Sequence, residues 1–246
     1  RVPARLAAAL AAVALLAGCA SGFPGPERVV FAAASLNQAF TQLGAQFEAA
    51  HPGARVRFSF EGSTTLVDQL SAGAAADVLA TADESSMDRA SSAGLVSGTA
   101  RAFASNTLTL IVPAGNPAHV TGLDSSLDDA LLVVCAESVP CGAATKRLAA
   151  ALGVTLRPAS EESKVTDVRT KVESGQADAG IVYVTDARAA QGVDAIAIAG
   201  AERVRNVYLI GVPATAGQPA LGAEFIELVG SSSGRAVLDA AGFGSG

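Results

Sequence analysis

Apolar positions along this chain follow two rhythms. Short apolar or alternating runs at 29–31, 56–60, 77–80, 108–112, 131–134, 179–184, 194–198 and 204–212 predict strands. Between them, stretches with helical spacing fall at 37–50, 64–72, 84–93, 124–130, 142–152, 165–174, 221–229 and 234–241. The first of these puts Phe40, Leu43 and Phe47 on one face and is stopped by His51-Pro52-Gly53. Gly94, Gly153 and Gly175 each stand where a helix should end. Strands alternating with helices predict an α/β fold with mostly parallel sheets flanked by helices. No fixed-period repeat is visible.

The first residues follow a different pattern. Arg1 and Arg5 precede an unbroken apolar run at 6–17, too short to span a bilayer and suited to the apolar stretch of a secretory signal. Leu16-Ala17-Gly18-Cys19 resembles the lipobox of bacterial lipoproteins. In that reading residues 1–18 are removed, and the Cys19 thiol carries a diacylglyceryl group. Two acyl chains hold far more firmly than one, at about 0.8 kcal/mol per buried CH₂. Residues 19–27, with Gly22, Pro24, Gly25 and Pro26, then read as a tether. The alternative is an ordinary signal peptide with an incidental cysteine. Both readings place the mature chain outside the cytoplasm; the first anchors it to the outer face of the membrane.

Composition narrows the function. Half the residues are apolar and 16% charged, enough to build a sizeable core. The net charge of −6 and the absence of a basic patch argue against a nucleic-acid partner. His51 and His119 are too few for a histidine-rich metal cluster. Export predicts an oxidising compartment, so the even pair Cys135 and Cys141 favours a disulfide, with two reduced core thiols as the bland alternative. No further ligands at zinc spacing accompany them.

The candidate chemistry lies where strands hand over to helices. Ala34-Ser35-Leu36, Gly62-Ser63-Thr64, Pro140-Cys141-Gly142 and Ser163-Lys164-Val165 each open a helix. Helix N-termini carry unpaired N–H groups and partial positive charge, and in open α/β sheets they lie where ligands bind. Several converging would make an anion site without a basic side chain. Singly, each serine is better explained as a helix N-cap.

Five segments in order resemble the molybdate-binding proteins of ABC importers: residues 30–36 (VFAAASL), 60–66 (FEGSTTL), 72–83 (AGAAADVLATAD), 139–142 (VPCG) and 175–187 (GQADAGIVYVTDA). The resemblance covers about 29–243, nearly all of the mature chain. It implies a two-lobed periplasmic binding protein fold, type II-like, with the ligand cleft between lobes. Lobe 1 would comprise 28–107 plus 207–246 and lobe 2 residues 108–206. Carried over position by position, the donors to a tetrahedral oxyanion are the hydroxyls of Ser35, Ser63 and Tyr183 and the amides of Cys141 and Val165. An ungapped count back from Tyr183 selects Val165; a short gap would select Val168. The metal thus arrives as molybdate, held through these five residues. The resemblance further implies a membrane permease as partner. No cofactor and a monomeric state are expected.

The donor chemistry agrees. Molybdate and tungstate are dianions with acceptor oxygens alone, whereas hydrogen phosphate also wants an acceptor carboxylate. Sulfate shares the charge and shape, and pocket size decides against or for it. A small organic acid would call for an arginine clamp, for which Arg169 and Arg205 are candidates. A serine hydrolase is a remote alternative: Gly230-Ser231-Ser232-Ser233-Gly234 fits the G-x-S-x-G pattern, but it follows a helical run and no histidine comes after it. Asp124, Asp128 and Asp129 read as a solvated helix start rather than a cation site.

Overall fold

The structure is a computed structural model that describes residues 27–246. The expected signal segment, Cys19 and the tether up to residue 26 lie outside the described residues. Glu27, the last residue assigned to that tether, already opens the first strand.

Two five-stranded sheets organise the chain. The first has the order β2-β1-β3-β10-β4, with β1 at Glu27–Ala33, β2 at Arg55–Glu61, β3 at Val78–Thr81, β4 at Val96–Asn106 and β10 at Asn206–Pro213. The second has the order β7-β6-β8-β5-β9, with β5 at Leu108–Pro113, β6 at Leu132–Cys135, β7 at Ser160–Glu162, β8 at Ala179–Tyr183 and β9 at Val193–Ile196. We call the units built on them lobe 1 and lobe 2. The chain changes sheet between Asn106 and Leu108 and returns by Asn206. Asn106 and Asn206 are register partners, so the two crossings run side by side.

Both sheets are mixed. β1 pairs in parallel with β2 and β3, and β6 with β7 and β8. β10 is antiparallel to β3 and β4, and β5 to β8 and β9. Parallel pairing thus stops at the strands that carry the crossings, because a chain that leaves a lobe at one edge of the cleft must run back the other way.

Lobe 1 is flanked by α1 (Asn37–Ala50), α2 (Ser63–Ser71), α3 (Glu84–Ser92), α7 (Pro219–Gly230) and α8 (Ser232–Ala241). α1 buries Ala39, Phe40, Leu43 and Phe47, its expected face. Phe40 packs on Phe58, Phe103 and Phe225 at ring-centroid distances of 6.4, 5.9 and 5.7 Å. Lobe 2 carries α4 (Pro140–Leu152), α5 (Val165–Glu173) and α6 (Val184–Ala189) around an aliphatic core. There Val168 and Val172 of α5 lie on Gly180 of β8, where an added Cβ would meet each at 2.9 Å.

Several elements differ from the sequence pattern. β4 was not anticipated: eleven residues with an exposed outer half and no clean alternation, held as an edge strand by pairing with β10. β7 is too short to leave a pattern. The helix expected at 124–130 is a single 3-10 turn at Ser125–Leu127 opened by Asp124, whose carboxylate accepts from the Ser126 amide. The run at 179–184 is β8 followed at once by α6. Among the described residues no helix is long and apolar enough to cross a membrane.

Candidate functional site

Ser35, Ser63, Cys141, Val165 and Tyr183 line one cavity between the lobes, together with Ala33, Glu61, Gly62, Val139 and Lys164. Ser35 lies in the 3-10 turn after β1, and Ser63 is the first residue of α2. Neither acts as a side-chain cap, the role that serine at a helix start usually has. α3 and α8, away from the cavity, are capped by Asp83 and Ser231. The helices that open onto the cavity begin at Gly62, Val139 and Lys164 with no side-chain cap bond. Their first-turn amides, those of Cys141 and Val165 included, have no intrahelical acceptor. Val168 is fully buried against Gly180 and does not line the cavity.

The hydroxyls of Ser63 and Tyr183 are oriented by protein donors. Arg147 Nη2 donates to Asn206 Oδ1 at 3.0 Å, and an arginine has nothing but donors to offer, so the Asn206 amide nitrogen must face the other way. That nitrogen donates to Tyr183 OH at 2.8 Å and to the Ala82 carbonyl at 2.9 Å. Tyr183 therefore accepts from Asn206, and its own proton is left to donate elsewhere. Ser63 Oγ accepts from the Ala82 amide at 2.9 Å, which frees its proton in the same way. Ser35 Oγ lies 2.8 Å from Tyr208 OH. Tyr208 is also reached by Asn106 Nδ2 at 3.4 Å. Burial pushes both tyrosine hydroxyls well above the ordinary range, so they stay protonated at neutral pH.

The lobes are shut over this cavity. Thr64 Oγ1 donates to the Ser138 carbonyl at 2.6 Å, and Lys164 Nζ donates to Glu61 Oε2 at 3.0 Å. At Gly62 an added Cβ would sit 2.5 Å from the Ser163 carbonyl oxygen, so no larger residue fits. In lobe 2, Cys135 and Cys141 form a disulfide with Cα atoms 5.7 Å apart, tying the end of β6 to the first turn of α4. Gly142 lets that turn pass over the Ala136 carbonyl, where a Cβ would collide at 1.9 Å.

Sequence reasoning missed Asn206, Lys164 and Glu61, and did not assign Tyr208 to the site. Tyr208 and Asn206 had one usable signal, their place at the second crossing. Arg169 and Arg205 do not line the donor cavity; they border separate grooves. The groove at Arg169 also holds Asp186, whose Oδ2 has no hydrogen-bond partner among the described residues. Burial raises the Asp186 carboxyl to about 7, against the pull of Arg169. The segment Gly230–Gly234 runs from the last residue of α7 into the first turn of α8, with Ser231 between them as the cap whose Oγ accepts from the Gly234 amide at 3.1 Å. It has no hydrolase geometry.

Two α/β lobes joined by two adjacent crossings, with hydrogen-bond donors converging between them, define the class of two-lobed binding proteins. Over residues 29–244 the chain matches, and belongs to, the family described as bacterial extracellular solute-binding protein. It is 46% identical to the molybdate-binding protein ModA of Mycobacterium tuberculosis, across 94% of this chain and 93% of that protein. Among solved structures, the periplasmic molybdate-binding protein of Azotobacter vinelandii superimposes with a TM-score of 0.77 at 21% identity, covering 88% of this chain and 98% of that one. The sulfate-binding protein SubI of Mycobacterium tuberculosis superimposes with a TM-score of 0.70 at 20% identity, covering 88% and 86%. The chain is thus a solute-binding protein and not an enzyme.

Proposed function

We propose that this protein captures molybdate or tungstate outside the cytoplasmic membrane and delivers it to an ABC importer, anchored by a lipid on Cys19. It holds its cargo without a cofactor and acts as a monomer. One observation carries the reading: three hydroxyls and two helix-start amides meet in one cavity, and the hydroxyls of Ser63 and Tyr183 have their acceptor positions filled by protein donors. The Ser63 and Tyr183 hydroxyls and the two amides offer protons, which suits a fully ionised tetrahedral oxyanion. Glu61 is the one carboxylate lining it, and Lys164 engages that group, which works against hydrogen phosphate. The name of the 46% identical relative favours molybdate over sulfate, a choice the shared fold alone does not make.

Calorimetric titration of the soluble chain beginning after Cys19, with molybdate, tungstate, sulfate and phosphate in parallel, tests this. Tight binding of the first two and silence from the others supports it; preference for sulfate or phosphate moves the function to another oxyanion. Each hydrogen bond to a charged ligand contributes about 1.5–3 kcal/mol, so Ser63→Ala and Tyr183→Phe should each weaken molybdate about ten- to a hundred-fold. Unchanged affinity in both would remove these residues from the site.

A further inference from the structure

Lys164 and Glu61 stand on opposite sides of the closed cleft. Glu61 ends β2, two residues before Ser63, and Lys164 precedes Val165 at the start of α5. Their ion pair spans 3.0 Å with both side chains partly buried, 25% and 34% exposed. The other ion pairs seen among the described residues each stay within one lobe. The pair is flanked by the Thr64 to Ser138 hydrogen bond and by the close approach of Gly62 to Ser163. The loops that carry donors from the two lobes are therefore fastened to each other at this point.

The pair also sets the charge of the wall. A lone carboxylate beside a dianion repels it, and in lobe 1 alone Glu61 has that position. Closure is what brings the ammonium.

We infer that Lys164 and Glu61 form an ionic clasp that holds the lobes shut over the bound anion, and that Lys164 acts chiefly by cancelling the charge of Glu61. This rests on the oxyanion reading above. A rim pair costs little when both charges go and much when one is left behind unpaired.

The test compares Lys164→Met, Glu61→Gln and the double variant, with molybdate release followed by stopped flow and folding checked by circular dichroism. Glu61→Gln should speed release about five-fold, as for a partly exposed pair. Lys164→Met, which strands a carboxylate against the anion, should speed it about thirty-fold. The double variant should return to the Glu61→Gln rate. Release within about two-fold of wild type in both single variants would overturn the clasp, being below what such a pair contributes. A double variant no better than Lys164→Met would overturn the charge-cancelling role. If the wild type binds none of the four oxyanions, the functional reading fails, and the clasp is judged by small-angle scattering of the ligand-free proteins. A larger radius of gyration in both single variants then supports it, and equal radii overturn it.

Discussion

All eight phenylalanines among the described residues lie in lobe 1, with Tyr208; lobe 2 has Tyr183 as its single phenylalanine or tyrosine. Lobe 2 holds the disulfide instead. The contribution to the cavity differs in parallel. Lobe 1 offers serine hydroxyls from a 3-10 turn and a helix start, set on an interlocked aromatic core. Lobe 2 lines it with Tyr183 and with the helix starts at Cys141 and Val165, whose proposed donors are main-chain amides, and a main-chain donor is placed by placing its helix. A disulfide at the first turn of α4, with Pro140 and Gly142 beside it, fixes the helix at the end that matters. Side-chain donors can be deleted one at a time; main-chain donors are disturbed through the backbone.

The strongest way to break this contrast is Phe40→Ala. It removes the ring shared by Phe58, Phe103 and Phe225 and should destabilise the protein by about 3–5 kcal/mol in urea unfolding. A loss below about 1 kcal/mol would show that the aromatic cluster is not what supports lobe 1.

Asp186 tests lobe 2 at its polar seam. Its folded carboxyl titrates at about 7, above the ordinary 3.8, so the folded chain keeps a proton that the unfolded chain has released. The stability this brings is full at low pH, falls as pH rises between these two values and is flat above them. The total change is on the order of 4 kcal/mol. Asp186→Asn should flatten that slope, as read from unfolding midpoints between about pH 4.5 and about pH 7.5. An unchanged slope would assign the pH dependence to other groups.

The smallest effect is expected for Cys135→Ala/Cys141→Ala. With the two cysteines six residues apart, the closed loop is short, and its loss should cost about 2 kcal/mol of stability. Molybdate affinity should stay within about five-fold, because the contact proposed for Cys141 runs through its amide and not its sulfur. A much larger drop in affinity would mean that the disulfide, and not the α4 first turn alone, positions that amide.

The parts of the site that could be read from the sequence are those carried by local chemistry. Ser35, Ser63 and Tyr183 sit in short segments whose strand-to-helix handover is visible in the residues themselves. Two of the helices that bear them were legible for the same reason, since Phe40, Leu43 and Phe47 or Leu66 and Leu70 keep helical spacing. Asn206 and Lys164 were not legible. Asn206 matters because Arg147, fifty-nine residues away, turns its amide toward Tyr183. Lys164 matters because Glu61, one hundred and three residues away, meets it when the lobes close. β4 escaped notice for a related reason: its strand character comes from the partner, β10, and not from alternation in Val96–Asn106.

Gly62 sets how far the cleft can shut. An added Cβ there would lie 2.5 Å from the Ser163 carbonyl oxygen and 3.2 Å from Val139 Cγ1, so the lobes come this close only because residue 62 has no side chain. Backbone does not yield as a long side chain does. A side chain at this position would therefore wedge the lobes apart, whatever lies between them. The shut cleft works like a calliper whose closed setting is kept by a residue with no side chain.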